Sequence, residues 1–148
     1  MEENTLKDIL ETPDTIKAIM IDALQKTVKE VSYHNDRQEI YKYLSFYNKD
    51  LSPLWKVDRF EIAMPFAPDD MLIDEEGLLR GENYAFRIKT EGSLYMGNAL
   101  ILGVDKYGNF TSPRTTLEDV KEQVMFEGRV KIVEDYNGFS IVKPEEVH

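Results

Sequence analysis

One apolar segment limits the possible folds of this chain more than any other feature. Residues 99–104 read ALILGV, and residues 105–109 (DKYGN) have a composition typical of a turn. Successive side chains of a β-strand point to opposite faces, so an unbroken apolar run predicts a strand that is covered on both sides. We therefore expect residues 98–104 to form the central strand of a sheet.

Further strands are predicted on either side of this central strand. The segments 16–23 and 27–33 are rich in β-branched and apolar residues and flank a short turn, which predicts an N-terminal hairpin. The pair Asn137-Gly138 favours a type I′ turn and predicts a second hairpin near the C-terminus. Alternating or short apolar segments predict additional strands at 59–64, 71–73 and 84–88.

Two capping boxes predict the beginnings of two helices. Asp36 and Glu39 open a helix over residues 37–47, whose apolar stripe packs on the N-terminal hairpin. Thr115 and Glu118 open a second helix, which ends before residue 128. In both boxes the side chain of the first residue would accept a hydrogen bond from a free N–H group of the first helical turn.

The order of these elements shows no regular alternation of strand and helix. It predicts a single α+β domain over residues 16–148, with a mostly antiparallel sheet, two main helices and a C-terminal β-hairpin. Residues 1–15, in which Leu6, Ile9 and Leu10 share one helical face, are expected to be a flexible arm or a short helix.

Composition excludes several classes of function. The 148 residues include 28 acidic and 18 basic side chains and no cysteine, which gives a formal net charge of −10. Disulfide frameworks, thiolate zinc sites and cysteine nucleophiles are therefore excluded, and the charge argues against direct binding of nucleic acid. The apolar runs are far below the roughly 20 residues of a membrane span, and the acidic start is unlike a signal peptide. We expect a soluble cytoplasmic protein that does not bind a membrane.

The sequence contains no set of residues with the spacing of a catalytic centre. Neither His34 nor His148 has a partner placed by a motif, so we expect no catalytic triad. The most acidic segment includes Asp69, Asp70 and Asp74, but its spacing does not match a calcium-binding loop. We expect no metal site and no cofactor, and these three acids are candidate partner-binding residues. A weak hydrolase that uses them with Mg²⁺ is a second alternative.

A segment bounded by glycines precedes the predicted central strand. Residues 92–98 (GSLYMGN) have the glycine spacing of a phosphate-binding loop, but Asn98 stands where that loop has lysine. Gly92 and Gly97 are expected to allow a tight connection, and backbone amides there could line a ligand cleft. Gly92, Gly97 and Asn98 are candidate residues for a nucleotide-like ligand, with positive charge from Arg80, Arg87 or Lys89.

Aromatic side chains are concentrated on the first predicted helix. Tyr41, Tyr43, Phe46 and Tyr47 cannot all face the side that this helix buries, so some aromatic surface is expected to remain exposed. Tyr41 and Phe46 either cover the edge of the core beside Trp55 or contact a partner, since Tyr and Trp provide large contact areas. Tyr41 and Trp55 are therefore candidate partner-binding residues.

Three segments occur together in a characteristic order. They are residues 16–21 (IKAIMI), 74–81 (DEEGLLRG) and 97–105 (GNALILGVD), with Gly108 after the last of them. Over about residues 16–112 the chain resembles a small uncharacterised family found in phages, plasmids and their bacterial hosts. The resemblance supplies no catalytic residue, substrate or cofactor. It implies a mobile-element setting, in which small acidic proteins often bind host or phage components.

These observations predict a non-catalytic binding protein of a phage or another mobile element. We expect it to engage a host or phage protein in the host cytosol through acidic and aromatic surface, with a counter-defence or host-modulating role. The alternative function is a sponge or sensor for a nucleotide-like ligand. The predicted sheet has edges that a second copy could pair with or that charged residues could protect, so both a monomer and a homodimer are compatible with the sequence.

Overall fold

The computed structural model describes residues 15–46, 56–136 and 138–142. Within these residues it contains two α-helices, ten β-strands and a 3-10 helix at Gly77–Arg80. The helices are α1 (Arg37–Leu44) and α2 (Leu117–Gln123). The strands are β1 (Ile16–Asp22), β2 (Thr27–Tyr33), β3 (Phe60–Ala63), β4 (Asp70–Asp74), β5 (Glu82–Ile88), β6 (Leu94–Met96), β7 (Ala99–Val104), β8 (Phe110–Thr111), β9 (Val124–Asp135) and β10 (Gly138–Val142).

The larger of two sheets is built around β7. Its strands lie in the order β2-β1-β7-β4-β3, all neighbours are antiparallel, and β8 pairs with the end of β7. Ile101 of β7 pairs with Ile19 of β1 on one side and with Met71 of β4 on the other. The predicted central strand is confirmed, because β7 has neighbours on both sides and Leu100 and Ile101 are fully buried.

The smaller sheet has the strand order β10-β9-β5-β6 and is also antiparallel. Its longest pairing joins β5 to β9, and the register shifts between Ala85 and Phe86. Gly128, which pairs with Ala85, has a φ of 75° at this irregularity. Glycine adopts positive φ at little cost, so the bulge lets β9 continue past this point.

The two sheets and the helices enclose two large apolar clusters. Alternate residues of β7 contribute to both of them. Ile101 packs with Phe86 of the smaller sheet and Val120 of α2, whereas Leu100 packs with Ile40 of α1. The larger sheet is therefore covered on one face by the smaller sheet with α2 and on the other by α1.

The predicted α+β class with mostly antiparallel pairing is confirmed. Both hairpins are present as β1–β2 and β9–β10. Gly138 pairs with Asp135 and is the first residue of β10 rather than part of the turn, and Asn137 lies outside the described residues. The pattern did not predict β6, β8 or the division of the strands into two sheets. Predictions for residues 1–14 and 47–55, which include the N-terminal arm, Tyr47 and Trp55, also lie outside the described residues.

Helix α1 begins where it was predicted and ends earlier. The Asp36 side chain accepts a hydrogen bond from the N–H of Gln38 at 3.0 Å, as an N-cap does. The helix ends at Leu44 instead of residue 47, because Ser45 is extended and its N–H closes the last turn on the carbonyl of Tyr41.

Helix α2 begins one residue later than predicted. Its N-cap is Thr116, whose hydroxyl accepts a hydrogen bond from the N–H of Asp119 at 3.1 Å. Thr115, the predicted cap, instead donates its hydroxyl hydrogen to Asp69. The sequence could not separate the two because threonines occupy both positions and an acidic residue follows each at the required spacing.

Candidate functional site

Asp69, a predicted partner-binding residue, is almost completely buried. The residue is 1% exposed, and its carboxylate accepts hydrogen bonds from the N–H of Arg114 at 3.0 Å and the N–H of Thr115 at 2.8 Å. The hydroxyl of Thr115 donates a third at 2.6 Å. Three hydrogen bonds use most of the acceptor capacity of one carboxylate. Asp69 therefore connects the beginning of β4 to the loop before α2 rather than facing a ligand.

The other two acids of this segment lie at opposite ends of β4. Asp74 accepts a hydrogen bond from the N–H of Glu76 at 3.0 Å and pairs with Arg80, whose Nε lies 2.5 Å from its Oδ2. Asp70 is half-buried, and burial together with the nearby charge of Asp69 raises the pKa of its carboxyl group. Four residue steps along an extended strand separate Asp70 from Asp74 by about 13 Å.

Within the described part of the chain, no three His, Cys, Asp or Glu side chains are grouped so that they could hold a metal ion. A magnesium-dependent hydrolase would require the acids of β4 to lie together, but the distance between Asp70 and Asp74 along the strand keeps them apart. His34 is exposed before α1, and its Nδ1 lies 3.0 Å from Oε2 of Glu39. His34 is therefore a loop residue that contacts the first turn of α1.

The two glycines of residues 92–98 belong to different turns. Gly92 (φ 70°) is exposed between β5 and β6, and its carbonyl accepts a hydrogen bond from the guanidinium of Arg87 at 3.0 Å. Gly97 (φ 89°) is buried and donates its N–H to the carbonyl of Tyr84 at 2.6 Å. Because β6 lies between them, they do not form a phosphate-binding loop.

Asn98 connects three elements at the beginning of β7. Its Oδ1 accepts a hydrogen bond from the N–H of Ala23 at 2.8 Å, and its Nδ2 donates to the carbonyl of Tyr43 at 3.3 Å. The buried amide group therefore holds the β1–β2 hairpin and the end of α1 against the central strand. Its side-chain hydrogen bonds are made within the protein, which favours a structural role.

A pocket of about 340 Å³ opens beside Asn98, between the β1–β2 hairpin and the end of α1. We call it the hairpin pocket, and its lining includes Asp22, Lys29, Lys42, Tyr43, Phe46 and Asn98. Its volume falls in the range of small-molecule sites. Asn98 was predicted to lie near a ligand, but the two lysines were not, because they lie on different elements, β2 and α1.

Two of the three cations predicted to supply charge to a nucleotide-like ligand pair with carboxylates instead. Arg80 pairs with Asp74, and Nε of Arg87 lies 2.9 Å from Oε1 of Glu127. Lys89 is exposed in the turn that follows β5. Positive charge beside Asn98 comes from the lysines of the hairpin pocket instead.

Tyr41 lies at the edge of the core rather than on a free aromatic surface. Its ring is half-buried, and its centroid lies 6.1 Å from that of Phe60. Phe46 is buried, with its ring 5.9 Å from the ring of Tyr84. Because Trp55 is outside the described residues, the described part of the predicted aromatic interface consists of core-edge contacts.

A second concave surface, of about 310 Å³, lies where the edges of the two sheets approach each other. Strand β3 is the edge of the larger sheet, β6 is the edge of the smaller sheet, and the 3-10 helix lies beside both. We call this surface the edge groove. It combines carboxylates with apolar and aromatic side chains, chiefly Glu61, Ala63, Glu75, Leu78, Leu94 and Tyr95.

The edge groove carries negative charge beside apolar surface. Glu61 and Glu75 are exposed, and neither forms a salt bridge with any described residue. Leu78 exposes 44% of its surface. Burial and a hydrogen bond to Glu91 raise the pKa of Tyr95, so the phenol remains neutral at physiological pH. The net charge of the groove at neutral pH therefore comes from its carboxylates.

The edge groove was not predicted from the sequence. Its residues come from three separate segments, and only the fold brings them together. The alternation over residues 59–64 predicted β3 and could have placed Glu61 and Ala63 on one face, but it contains no information about the strand across the groove.

No helix within residues 15–46, 56–136 and 138–142 has both the length and the apolar character required to cross a membrane. Comparison of the chain with models of protein families, with curated proteins and with solved structures finds no match.

Proposed function

We propose that this chain is a non-catalytic binding protein that holds a basic segment of a partner protein in the edge groove. The observation that carries the proposal is the position of Glu61 and Glu75, unpaired among the described residues, beside the exposed side chain of Leu78. A lysine or arginine fits such a surface, because its charged group would pair with a carboxylate while its aliphatic stem covers the apolar wall.

The charge of the whole chain supports a partner of opposite sign. A net charge of −10 attracts basic proteins over several ångströms and raises their rate of association. The same charge repels a phosphate backbone, which favours a protein over a nucleic acid as the partner. The resemblance to a phage and plasmid family suggests a host or phage protein, and a counter-defence or host-modulating role stays a prediction.

Neutralising the two groove carboxylates is expected to weaken the binding of a basic probe. The variant carries Glu61→Gln and Glu75→Gln, and the probe is a peptide of eight lysines. We expect a loss of about fivefold to tenfold in affinity at low salt, because each exposed ion pair contributes up to about 1 kcal/mol. Isothermal titration calorimetry measures the affinity, which should fall further as salt screens the charges.

The control for this experiment has the same change in net charge at other positions. It carries Glu122→Gln and Glu134→Gln, both of which are exposed outside the groove. We expect it to lose less than about twofold in affinity, since only long-range attraction is reduced. An equal loss in both variants would contradict the proposal, because the peptide would then respond to total charge and not to the groove.

The hairpin pocket supports a second candidate function, the binding of a small organic anion. The specific observation is that Lys29 and Lys42 line one pocket of a strongly acidic chain, together with the aromatic side chains Tyr43 and Phe46. Lysines could pair with a phosphate or carboxylate, and the aromatic walls could contact a base or another planar ring. A nucleotide-like sponge or sensor would have this chemistry.

A thermal-shift screen with mononucleotides and cyclic nucleotides tests this candidate. A ligand at about 100 times its Kd should stabilise the folded protein by roughly 2.7 kcal/mol. Lys29→Gln combined with Lys42→Gln should remove the shift, whereas Lys121→Gln, on the exposed side of α2, should retain it. The candidate is rejected if no nucleotide shifts the transition or if the pocket variant responds like the wild type.

A further inference from the structure

We propose that the partner segment binds to β3 as an additional antiparallel strand and alternates basic with apolar residues. This inference rests on the proposed function of the edge groove and adds the binding mode and the residue pattern of the partner. It follows from the backbone groups of β3 and from the different side chains on its two faces.

Among the described residues, no strand pairs with the outer side of β3, so its backbone hydrogen-bonding groups on that side have no strand partner there. Glu75 donates its N–H to the carbonyl of Arg59 at 3.3 Å, so these two residues form a hydrogen-bonded pair. Bonded and non-bonded pairs alternate in an antiparallel ladder, which places Phe60 and Ile62 in non-bonded positions opposite β4. Their N–H and C=O groups therefore point away from the sheet, and among the described residues β3 pairs only with β4.

The facing edge, β6, is less accessible to a new strand. Gly77 lies so close to it that an added Cβ would be 2.9 Å from Cβ of Met96 and 3.2 Å from the Met96 carbonyl oxygen. The 3-10 helix that begins at Gly77 thus covers one end of β6. This leaves β3 as the accessible edge of the groove.

The two faces of β3 select different side chains in the added strand. Glu61 pairs with Ile73 and faces the smaller sheet, where the edge groove lies. Ile62 also borders the edge groove, but it pairs with Leu72, which places its side chain on the opposite face of the strand, with 51% of its surface exposed. Met64 follows at the end of β3 and is 54% exposed. An added strand with basic residues on the first face and apolar residues on the second complements both.

A second copy of the chain is a poorer occupant of the same edge. The antiparallel self-pairing that joins the outward groups of Phe60 to those of Ile62 of the other copy, and so uses both residues, would place Glu61 directly opposite Glu61 of that copy. Like charges directly opposite each other destabilise a strand pair, and two chains of charge −10 repel at longer range. Charge complementarity therefore favours a basic partner over self-association.

The test uses the full chain, labelled with ¹⁵N, and the capped heptapeptide Lys-Val-Lys-Val-Lys-Val-Lys as the probe. In the proposed pairing the valines lie opposite Phe60 and Ile62 and exchange backbone hydrogen bonds with them. We expect saturating peptide to slow hydrogen exchange of these two amides by about tenfold or more. Methylation of the backbone nitrogens of the three valines should weaken binding by about tenfold or more, because the methylated nitrogens cannot donate hydrogen bonds to the carbonyl groups of β3.

Two further peptides complete the experiment. The first is methylated on the backbone nitrogens of three lysines, which would point to solvent, and its affinity should change less than about threefold. The second is the block peptide Lys-Lys-Lys-Lys-Val-Val-Val, which should bind more weakly than the alternating one. Equal effects of the two methylation patterns, or equal binding of the block peptide, would overturn strand addition. If strand addition is overturned but binding still depends on Glu61 and Glu75, the proposed function of the edge groove stands. If binding is also independent of these two residues, the proposed function is rejected as well. Dimerisation of the free chain with slow exchange at Ile62 would assign the edge to a second copy and overturn the inference.

Discussion

Replacement of Leu100 by aspartate is expected to abolish cooperative folding. Leu100 is fully buried in the central strand, where it pairs with Met20 on one side and with Leu72 on the other. The cluster around it is apolar, so the carboxyl group would be buried without a partner or would have to take up a proton. The cost exceeds about 4 kcal/mol, which is comparable with the whole stability of a typical domain.

The thermal transition followed by circular dichroism measures this effect, and two variants keep the result interpretable. Leu79→Asp introduces the same charge at a side chain that is 71% exposed, and should melt like the wild type. Leu100→Ala creates a cavity without a charge and should remain folded with a loss of about 2–5 kcal/mol. A cooperative transition near the wild-type temperature for Leu100→Asp would show that β7 is not the centre of the core.

The central strand could be predicted because its signal is local. Residues 99–104 are apolar at every position, and a run this short beside turn residues is typical of a strand covered on both faces. The hairpins were predictable for the same reason, since turn residues lie beside the strands that they join. Strand β6 was not predictable, because its three residues are too few to show a period.

The division into two sheets depends on pairings between distant segments. Tyr84 of β5 pairs with Arg129 of β9, and neither segment contains a feature that identifies the other. Alternation shows which face of a strand is buried, but it does not show which strand lies beside it. For this reason the sequence predicted the strands of both sheets better than it predicted the edge groove between them.

The same distinction explains the predicted site residues. Asp69 was singled out as part of the most acidic segment and Asn98 as part of a segment bounded by glycines, and both make hydrogen bonds that connect distant elements. A buried polar side chain with an internal partner and a polar side chain at a binding site look alike in a single sequence. The partners of Asp69 lie 45 and 46 positions away, so only the fold identifies its role.

Replacement of Asp69 by alanine is expected to destabilise the protein by about 3–5 kcal/mol. The substitution leaves the N–H groups of Arg114 and Thr115 and the hydroxyl of Thr115 without their acceptor, and each donor left unsatisfied costs about 1–3 kcal/mol. Part of this cost is recovered if water reaches the partly buried donors. For a chain of this length the melting temperature should fall by roughly 10 °C.

Two comparisons separate a structural Asp69 from a partner-binding one. Asp58→Ala removes an exposed carboxylate and should leave the melting temperature within about 2 °C of the wild type. Asp69→Asn retains one acceptor oxygen and should lie between the alanine variant and the wild type. If Asp69 were instead held for a partner, its loss would weaken binding of the basic peptide and leave stability unchanged. Since its carboxylate already accepts three hydrogen bonds, we expect the opposite result, with lower stability and unchanged affinity in the fraction that remains folded.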